Sequence, residues 1–326
     1  MASTSILENA YYVTNYLSGI MYGIELSLFY VTVHSVYTMP KLQRRKSDKV
    51  FVLYSIALLF LLTVDIATNA FWGQQMWITF RDQPGGIPAF IAHEESVWYE
   101  TWGTAASIAL IFLGDGLLIF RCYIIWGSSL LVILLPCLTY LANIVLGILV
   151  LIEAGAPGGT IFSGKAINFG IPFYSIAIGL NILLTALICG RLLYISNWVR
   201  ETLGNDAAKL YTGVLAITIE SAIPYSLCGM MFLIPYVRGS QSSIGFAQIW
   251  GKFTCLSPQL IVFRVVTRRA WSNRAMTQDP SAITFSSGGL ASNHASQPAS
   301  PYGSGHSSDP TDSATWPGDR SIKNMV

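Results

Sequence analysis

Five charged side chains lie well inside long apolar stretches of the sequence. They are Glu25, Asp65, Asp115, Glu220 and Lys252. If each stretch is a helix rising about 1.5 Å per residue, Glu25, Asp115 and Glu220 lie near its middle. Asp65 and Lys252 lie about 10–12 Å from the helix ends on one common side. A charge at such depth in a membrane is costly and usually functional, so these five are the candidate site residues.

Four carboxyl groups and one ammonium at similar depth cannot all be ionised and unpaired. Some carboxyls must be protonated or a bound cation must balance them, which favours a shared interior site for a ligand or an ion. The alternative is that each group makes a separate hydrogen bond between helices and only holds the bundle together. We expect an ion pair between Asp115 and Lys252, because Gly114 and Gly116 let a neighbouring helix approach the aspartate closely. Glu220 is its main competitor.

Two further residues in these stretches bear on movement and signalling. Pro224 follows Glu220 by four residues and cannot donate the backbone hydrogen bond that the Glu220 carbonyl needs, so it predicts a kink. The kink is either a hinge or a fixed bend. Arg121 closes the third apolar stretch, where it either reaches toward lipid headgroups or contacts a cytosolic partner. We take it as the candidate coupling residue.

The composition indicates that lipid is the solvent for much of the chain. Of its 326 residues, 52% are hydrophobic and only 11% are charged, against about 25% charged residues in soluble domains. A membrane helix needs about 20 mostly apolar residues, and an open sheet is excluded because lipid cannot satisfy its backbone groups. Seven stretches qualify: 15–38, 50–72, 104–126, 130–152, 169–193, 210–236 and 244–266. We therefore predict an all-α, integral membrane seven-helix bundle.

Lysine and arginine near the helix ends predict the orientation, because they are enriched in cytosolic loops. One set of loops and flanking positions holds most of them: Lys41, Arg44, Arg45, Lys46, Lys49, Arg191, Arg200, Lys209, Arg264, Arg268, Arg269 and Arg274. The opposite loops hold only Arg81, Lys165 and Arg238. This asymmetry predicts an N-terminus outside and a C-terminus in the cytosol.

The sequence divides into three predicted parts. Residues 1–14 form an external N-terminus and residues 15–271 the seven-helix domain. Residues 272–326 are rich in Ser, Gly, Pro, Asn and Thr, with too few large apolar side chains to offset the entropy of ordering, so we predict a disordered cytosolic tail. The longest external loop, 73–103, is rich in aromatic residues. These form either a belt at the lipid headgroups or a lid over an external pocket.

Several functional classes lack the residues they need. The five cysteines show no metal-ligand spacing, and His34 is the only histidine near a predicted helix, so no metal site is expected. Lys252 lacks the upstream aspartate found beside the retinal lysine of microbial rhodopsins, so no cofactor is expected. We predict no enzymatic activity. A nucleic-acid partner is excluded because no basic cluster is interleaved with aromatic residues.

The segment GDGLLIFRCYIIWG, residues 114–127, carries a resemblance. Together with the following hairpin into SSLLVILLPCLTYLA, it resembles a large group of uncharacterised seven-helix proteins of mushroom-forming (basidiomycete) fungi. The resemblance covers most of residues 10–270 and includes the basic first cytosolic loop. It implies the seven-helix membrane fold and leaves the function open.

The sequence favours a receptor-like protein that senses an external ligand and signals through its cytosolic loops. The long external loop and the basic cytosolic face both indicate this class. The alternative is a transporter or a proton- or cation-translocating protein, which the excess of buried acids would suit, although no inverted repeat is found. The predicted partners are membrane lipid, a small-molecule or ion ligand and a cytosolic signalling protein. We expect the protein in the plasma membrane as a multi-pass protein.

Overall fold

Seven long helices make up most of the described part of the chain. The computed structural model describes residues 2–39, 46–82, 84, 89–90, 97–156, 164–203, 205–240 and 242–278. The helices are α1 (Ala2–Thr38), α2 (Lys46–Gln74), α3 (Trp98–Ile125), α4 (Leu130–Ala154), α5 (Gly164–Leu203), α6 (Asn205–Val237) and α7 (Ser243–Gln278). No strand occurs among these residues, which confirms the all-α prediction.

The helix boundaries extend beyond the predicted apolar stretches at both ends of the chain. α1 begins at Ala2, so the predicted external segment 1–14 is helical from its second residue. α2 continues as a π-helical turn over Gln75–Thr79. α7 continues to Gln278, past the predicted start of the tail. The remainder of the predicted disordered tail, from residue 279 onward, lies outside the described residues.

Among the described residues, six helices are long and apolar enough to cross a membrane, and they are α1 to α6. α7 falls short because Lys252, Thr254, Ser257 and Gln259 interrupt its apolar sequence. These four side chains are almost fully buried, so the polar face of α7 points into the bundle. The architecture is that of an integral multi-pass membrane protein.

The outer surface of the bundle is apolar, as a lipid-facing surface must be. Leu131 is 86% exposed, Ile78 75% and Leu130 74%. Soluble proteins rarely expose large contiguous apolar patches, because such patches bind other surfaces or aggregate. The exposed side chains therefore agree with the composition in assigning lipid as the solvent around the helices.

A tight turn joins α3 to α4 and makes them the predicted hairpin. Gly127 and Ser128 both have positive φ, at 63° and 64°. The Ser128 amide donates to the Tyr123 carbonyl at 3.0 Å and the Gly127 amide to the Ile124 carbonyl at 3.1 Å, which closes the end of α3. Positive φ suits glycine and is strained for serine. Ser128 is exposed, so the backbone hydrogen bond of its amide, and not side-chain packing, holds it in this conformation.

The helices form a closed ring in chain order. Each helix packs against the next one, and α1 packs against α7. α3 also contacts α5 and α7, and α7 also contacts α2, so these two helices lie at the centre of the arrangement. We name the end at which α1, α3, α5 and α7 begin the upper end.

Two clusters of buried side chains show how the interior between the helices is filled. The upper cluster is largely aromatic and includes Phe173, Tyr174, Phe232, Tyr236 and Trp250. The lower cluster is mainly aliphatic and includes Leu118, Leu180, Leu184, Ile188 and Ile261. The interior therefore changes character along its length, and the aromatic half is the one that adjoins the candidate site.

Candidate functional site

A cavity of about 410 Å³ lies at the upper end of the bundle, and residues of all seven helices line it. We call it the upper pocket. Its volume lies within the range of roughly 300–1,000 Å³ that is typical of small-molecule sites. The ends of the helices therefore surround a space that is large enough for a ligand.

A buried ion pair forms the polar part of this pocket. The Lys252 ammonium on α7 contacts the Asp65 carboxylate on α2, and their side chains are only 3% and 8% exposed. The hydroxyl of Ser107 on α3 donates to Asp65 Oδ1 at 2.6 Å, and Asn69 Nδ2 donates to the same oxygen at 3.3 Å. Both carboxylate oxygens are thus used, which a buried charge requires.

The hydrogen bonds continue from this pair into α1. Gln248 Nε2, one turn before Lys252, donates to Asn69 Oδ1 at 3.1 Å. Tyr11 Oη donates to the Asn69 carbonyl oxygen at 2.8 Å, and Thr14 Oγ1 contacts Gln248 Oε1 at 2.8 Å. The network joins α1, α2, α3 and α7. Buried networks of this kind fix one arrangement of the helices when their members are satisfied.

The predicted ion pair between Asp115 and Lys252 is wrong, because Lys252 pairs with Asp65. The reason is depth along α3. Ser107 lies level with the Asp65–Lys252 pair, and Asp115 is eight residues further along the helix, which is about 12 Å lower. Gly114 does bring α7 close, but at Thr254, whose carbonyl oxygen lies 3.5 Å from a Cβ built on Gly114. Gly116 instead faces the Tyr140 hydroxyl on α4.

The second part of the upper pocket is an aromatic wall. Tyr174, Phe232, Tyr236 and Trp250 line it and are all buried. The rings of Phe232 and Trp250 are stacked at 5.3 Å with an angle of 13°, and Tyr174 meets Phe232 edge to face at 4.9 Å. Such contacts hold the rings in fixed positions, so the wall is preformed.

Glu100 is a pocket residue that the sequence interpretation left in the external loop. It lies in the first turn of α3 and lines the upper pocket. Its Oε1 atom is shielded from solvent and has no hydrogen-bond partner among the described residues. The spacing of seven residues between Glu100 and Ser107, two helical turns, was the available signal that both lie on one face.

The aromatic residues of loop 73–103 divide between the two predicted roles. Phe90 is only 4% exposed and packs on Phe80 and Trp72, whose rings lie 5.1 and 5.4 Å away. Trp72 in turn contacts the pocket residue Tyr11 at 4.9 Å, so this group covers one side of the pocket. Trp98 is 74% exposed, as expected for a belt residue. Residues 83, 85–88 and 91–96 lie outside the described part.

Glu220 does not lie in the interior, and that part of the prediction is wrong. Its side chain is 64% exposed and accepts a hydrogen bond from Arg264 Nη2 at 2.8 Å. The sequence placed Glu220 at the right depth of its helix but on the wrong face. The adjacent arginine on α7 supplies the opposite charge, so this carboxylate needs no partner inside the bundle.

The other sequence-predicted residues occupy separate places. Glu25 is fully buried on α1, and its carboxyl group interacts with the Cys255 thiol on α7. Asp115 is buried in a second, smaller cavity below the upper pocket. Arg121 is partly buried in the lower half of α3, and its Nη1 atom has no partner among the residues described. Its coupling role stays a prediction.

Comparison with known proteins identifies no family for this sequence. No protein-family model matches the sequence, and no curated protein is significantly similar to it. The helices and the upper pocket together define a class: an integral multi-pass membrane protein with a buried polar and aromatic cavity between its helix ends.

Proposed function

We propose that this protein is a receptor-like seven-helix membrane protein that senses an external small molecule and signals through its cytosolic loops. The observation that carries the proposal is the upper pocket, which combines a buried ion pair with a preformed aromatic wall. The lysine and arginine asymmetry supports an external N-terminus, which would open this end of the bundle to the outside. α7 then counts as the seventh crossing, with its polar face shielded by the other helices.

The charges of the upper pocket favour a cationic ligand. Asp65 and Lys252 balance each other, which leaves the unpartnered carboxyl oxygen of Glu100 as the group that a ligand would meet. Aromatic faces such as those of Tyr174 and Trp250 also attract cations. A small amine with an apolar or aromatic body fits both features.

The experiment measures the thermal stability of the purified full-length protein with aromatic primary amines and with their neutral alcohol analogues. We expect amines to stabilise the protein and the alcohols to have little effect. Glu100→Gln should abolish the difference, whereas Asp82→Asn, which changes an exposed carboxyl, should preserve it. A Glu100→Gln protein that binds amines like the parent would overturn the assigned ligand chemistry.

A transporter or cation-translocating protein is the alternative, and buried polar groups below the upper pocket favour it. Asp115, Asn181 and Gln259 all have polar atoms without hydrogen-bond partners in the described part of the chain. The two functions differ in what a bound amine does. A receptor should activate a G-protein reporter in cells without accumulating the amine, whereas a transporter should accumulate it in sealed proteoliposomes.

A further inference from the structure

A second cavity lies below the upper pocket, between α3, α5, α6 and α7. We call it the lower cavity. Its volume is about 10 Å³, which is room for roughly one water molecule or one dehydrated ion. Its polar lining consists of Asp115, Asn181, Tyr225, Thr254 and Ser257. The cavity is therefore small, and half of the ten residues that line it are polar.

Three of these oxygen atoms are unsatisfied. Asp115 Oδ2, Asn181 Oδ1 and Tyr225 Oη are shielded from solvent and have no hydrogen-bond partner among the described residues. The three residues are 2%, 4% and 3% exposed. Buried polar atoms in native proteins are nearly always satisfied, and leaving one unsatisfied costs about 1–3 kcal/mol. Three such atoms around one cavity indicate a bound species.

The backbone of α7 adds a fourth oxygen. Pro258 has no N–H group, so it cannot donate the helical hydrogen bond to the carbonyl of Thr254. That carbonyl oxygen lies 3.5 Å from a Cβ built on Gly114, the residue before Asp115, so it is held against this part of α3. Ser257, which also lines the cavity, donates its hydroxyl hydrogen to the Ser221 carbonyl at 2.7 Å, so its oxygen can act only as an acceptor toward a bound species.

We propose that the lower cavity binds one monovalent cation and that Na⁺ is the ion that fits. Asp115 Oδ2 and Asn181 Oδ1 can only accept, whereas the Tyr225 hydroxyl can donate or accept, so one water could satisfy all three atoms. A water would, however, leave the charge of a buried Asp115 carboxylate uncompensated. A cation neutralises that carboxylate, and this charge balance is what favours a cation over a water in the cavity. Asp115 is the one carboxylate among the described residues that line the cavity, so the site suits a single positive charge.

The lower cavity lies directly beneath the upper pocket, although the proposal does not depend on the function of that pocket. Ile111 lines both cavities. The ring of Tyr225 lies 5.5 Å from that of Trp250, which belongs to the aromatic wall. One layer of side chains therefore separates the two sites.

The test compares thermal unfolding of the purified full-length protein in sodium, potassium and choline chloride at equal ionic strength and pH. We expect a saturable rise in the unfolding midpoint that is specific to Na⁺. At ten times its dissociation constant, Na⁺ should multiply the ratio of folded to unfolded protein about elevenfold. Asp115→Asn should lose this response. Glu25→Gln is the matched control, since it changes another fully buried carboxyl that does not line the cavity, and it should keep the response.

Two results would overturn the proposal. One is the absence of a Na⁺-specific rise in the parent protein, and the other is an undiminished rise in Asp115→Asn. If the asparagine variant does not fold, Tyr225→Phe replaces it, because that change removes one oxygen and keeps the ring contact with Trp250. We then expect a several-fold higher concentration of Na⁺ at half-saturation, and an unchanged concentration would refute the site.

Discussion

Removing one partner of the Asp65–Lys252 ion pair should destabilise the protein strongly. Lys252→Met keeps most of the side-chain volume but leaves a buried carboxylate with only the hydrogen bonds from Ser107 and Asn69. Breaking a buried pair in this way costs about 3–5 kcal/mol, which for a domain of this size is a fall of roughly 6–20 °C in the unfolding midpoint. Asp65→Asn should cost a similar amount, because it leaves a buried ammonium.

The double variant tests the pairing itself. Combining Asp65→Asn with Lys252→Met removes both charges, so its midpoint should lie no lower than that of the worse single variant, and thermal unfolding in detergent measures this. Glu220→Gln breaks an exposed pair with Arg264, whose side chains are 64% and 38% exposed, and should cost about 0–1 kcal/mol. If the double variant loses the sum of the two single losses, the groups are independent and the pairing argument fails.

Two further predictions concern packing and orientation. Gly147→Ala should cost about 1–3 kcal/mol, measured as a lower unfolding midpoint, because its Cβ would lie 2.6 Å from Phe112 and 2.9 Å from Phe173. Gly179→Ala is the control, with nothing described within 4 Å, and an equal effect at both sites would exclude overpacking as the cause. In sealed right-side-out vesicles that contain the protein, added protease should cleave a tag on the protein's N-terminus and leave a tag on its C-terminus intact. The reverse pattern would disprove the proposed orientation.

The sequence was sufficient to predict the helices and the α3–α4 hairpin, because both follow from local features. Apolar stretches of sufficient length set the helices, and the short run of Gly127, Ser128 and Ser129 left no room for anything but a tight turn. The sequence also placed Asp65 and Lys252 at the same depth in the membrane, because depth follows from the number of residues between a side chain and the end of its helix. The matching depths alone would have favoured the Asp65–Lys252 pair over the predicted Asp115–Lys252 pair.

The rotation of each helix about its axis could not be predicted from the sequence in the same way. A mid-helix charge faces inward or outward according to how neighbouring helices pack, so Glu220 was assigned to the wrong face. The polar partners of the site were also missed. Asn69 follows Asp65 by four residues and Gln248 precedes Lys252 by four, and this spacing places each polar pair on one helix face. Searching for such repeats around the buried charges would have found much of the network.

Because only one layer of side chains separates the two cavities, the choice of salt can change the measured affinity of the upper pocket for its ligand. If a ligand occupies the upper pocket and Na⁺ the lower cavity, any effect of the ion on ligand affinity must be matched by an equal effect of the ligand on ion affinity. The coupling between the two sites would act through Ile111, which lines both cavities, and through the contact between the rings of Tyr225 and Trp250. A search for ligands in sodium buffer and one in potassium buffer can therefore rank the same compounds differently.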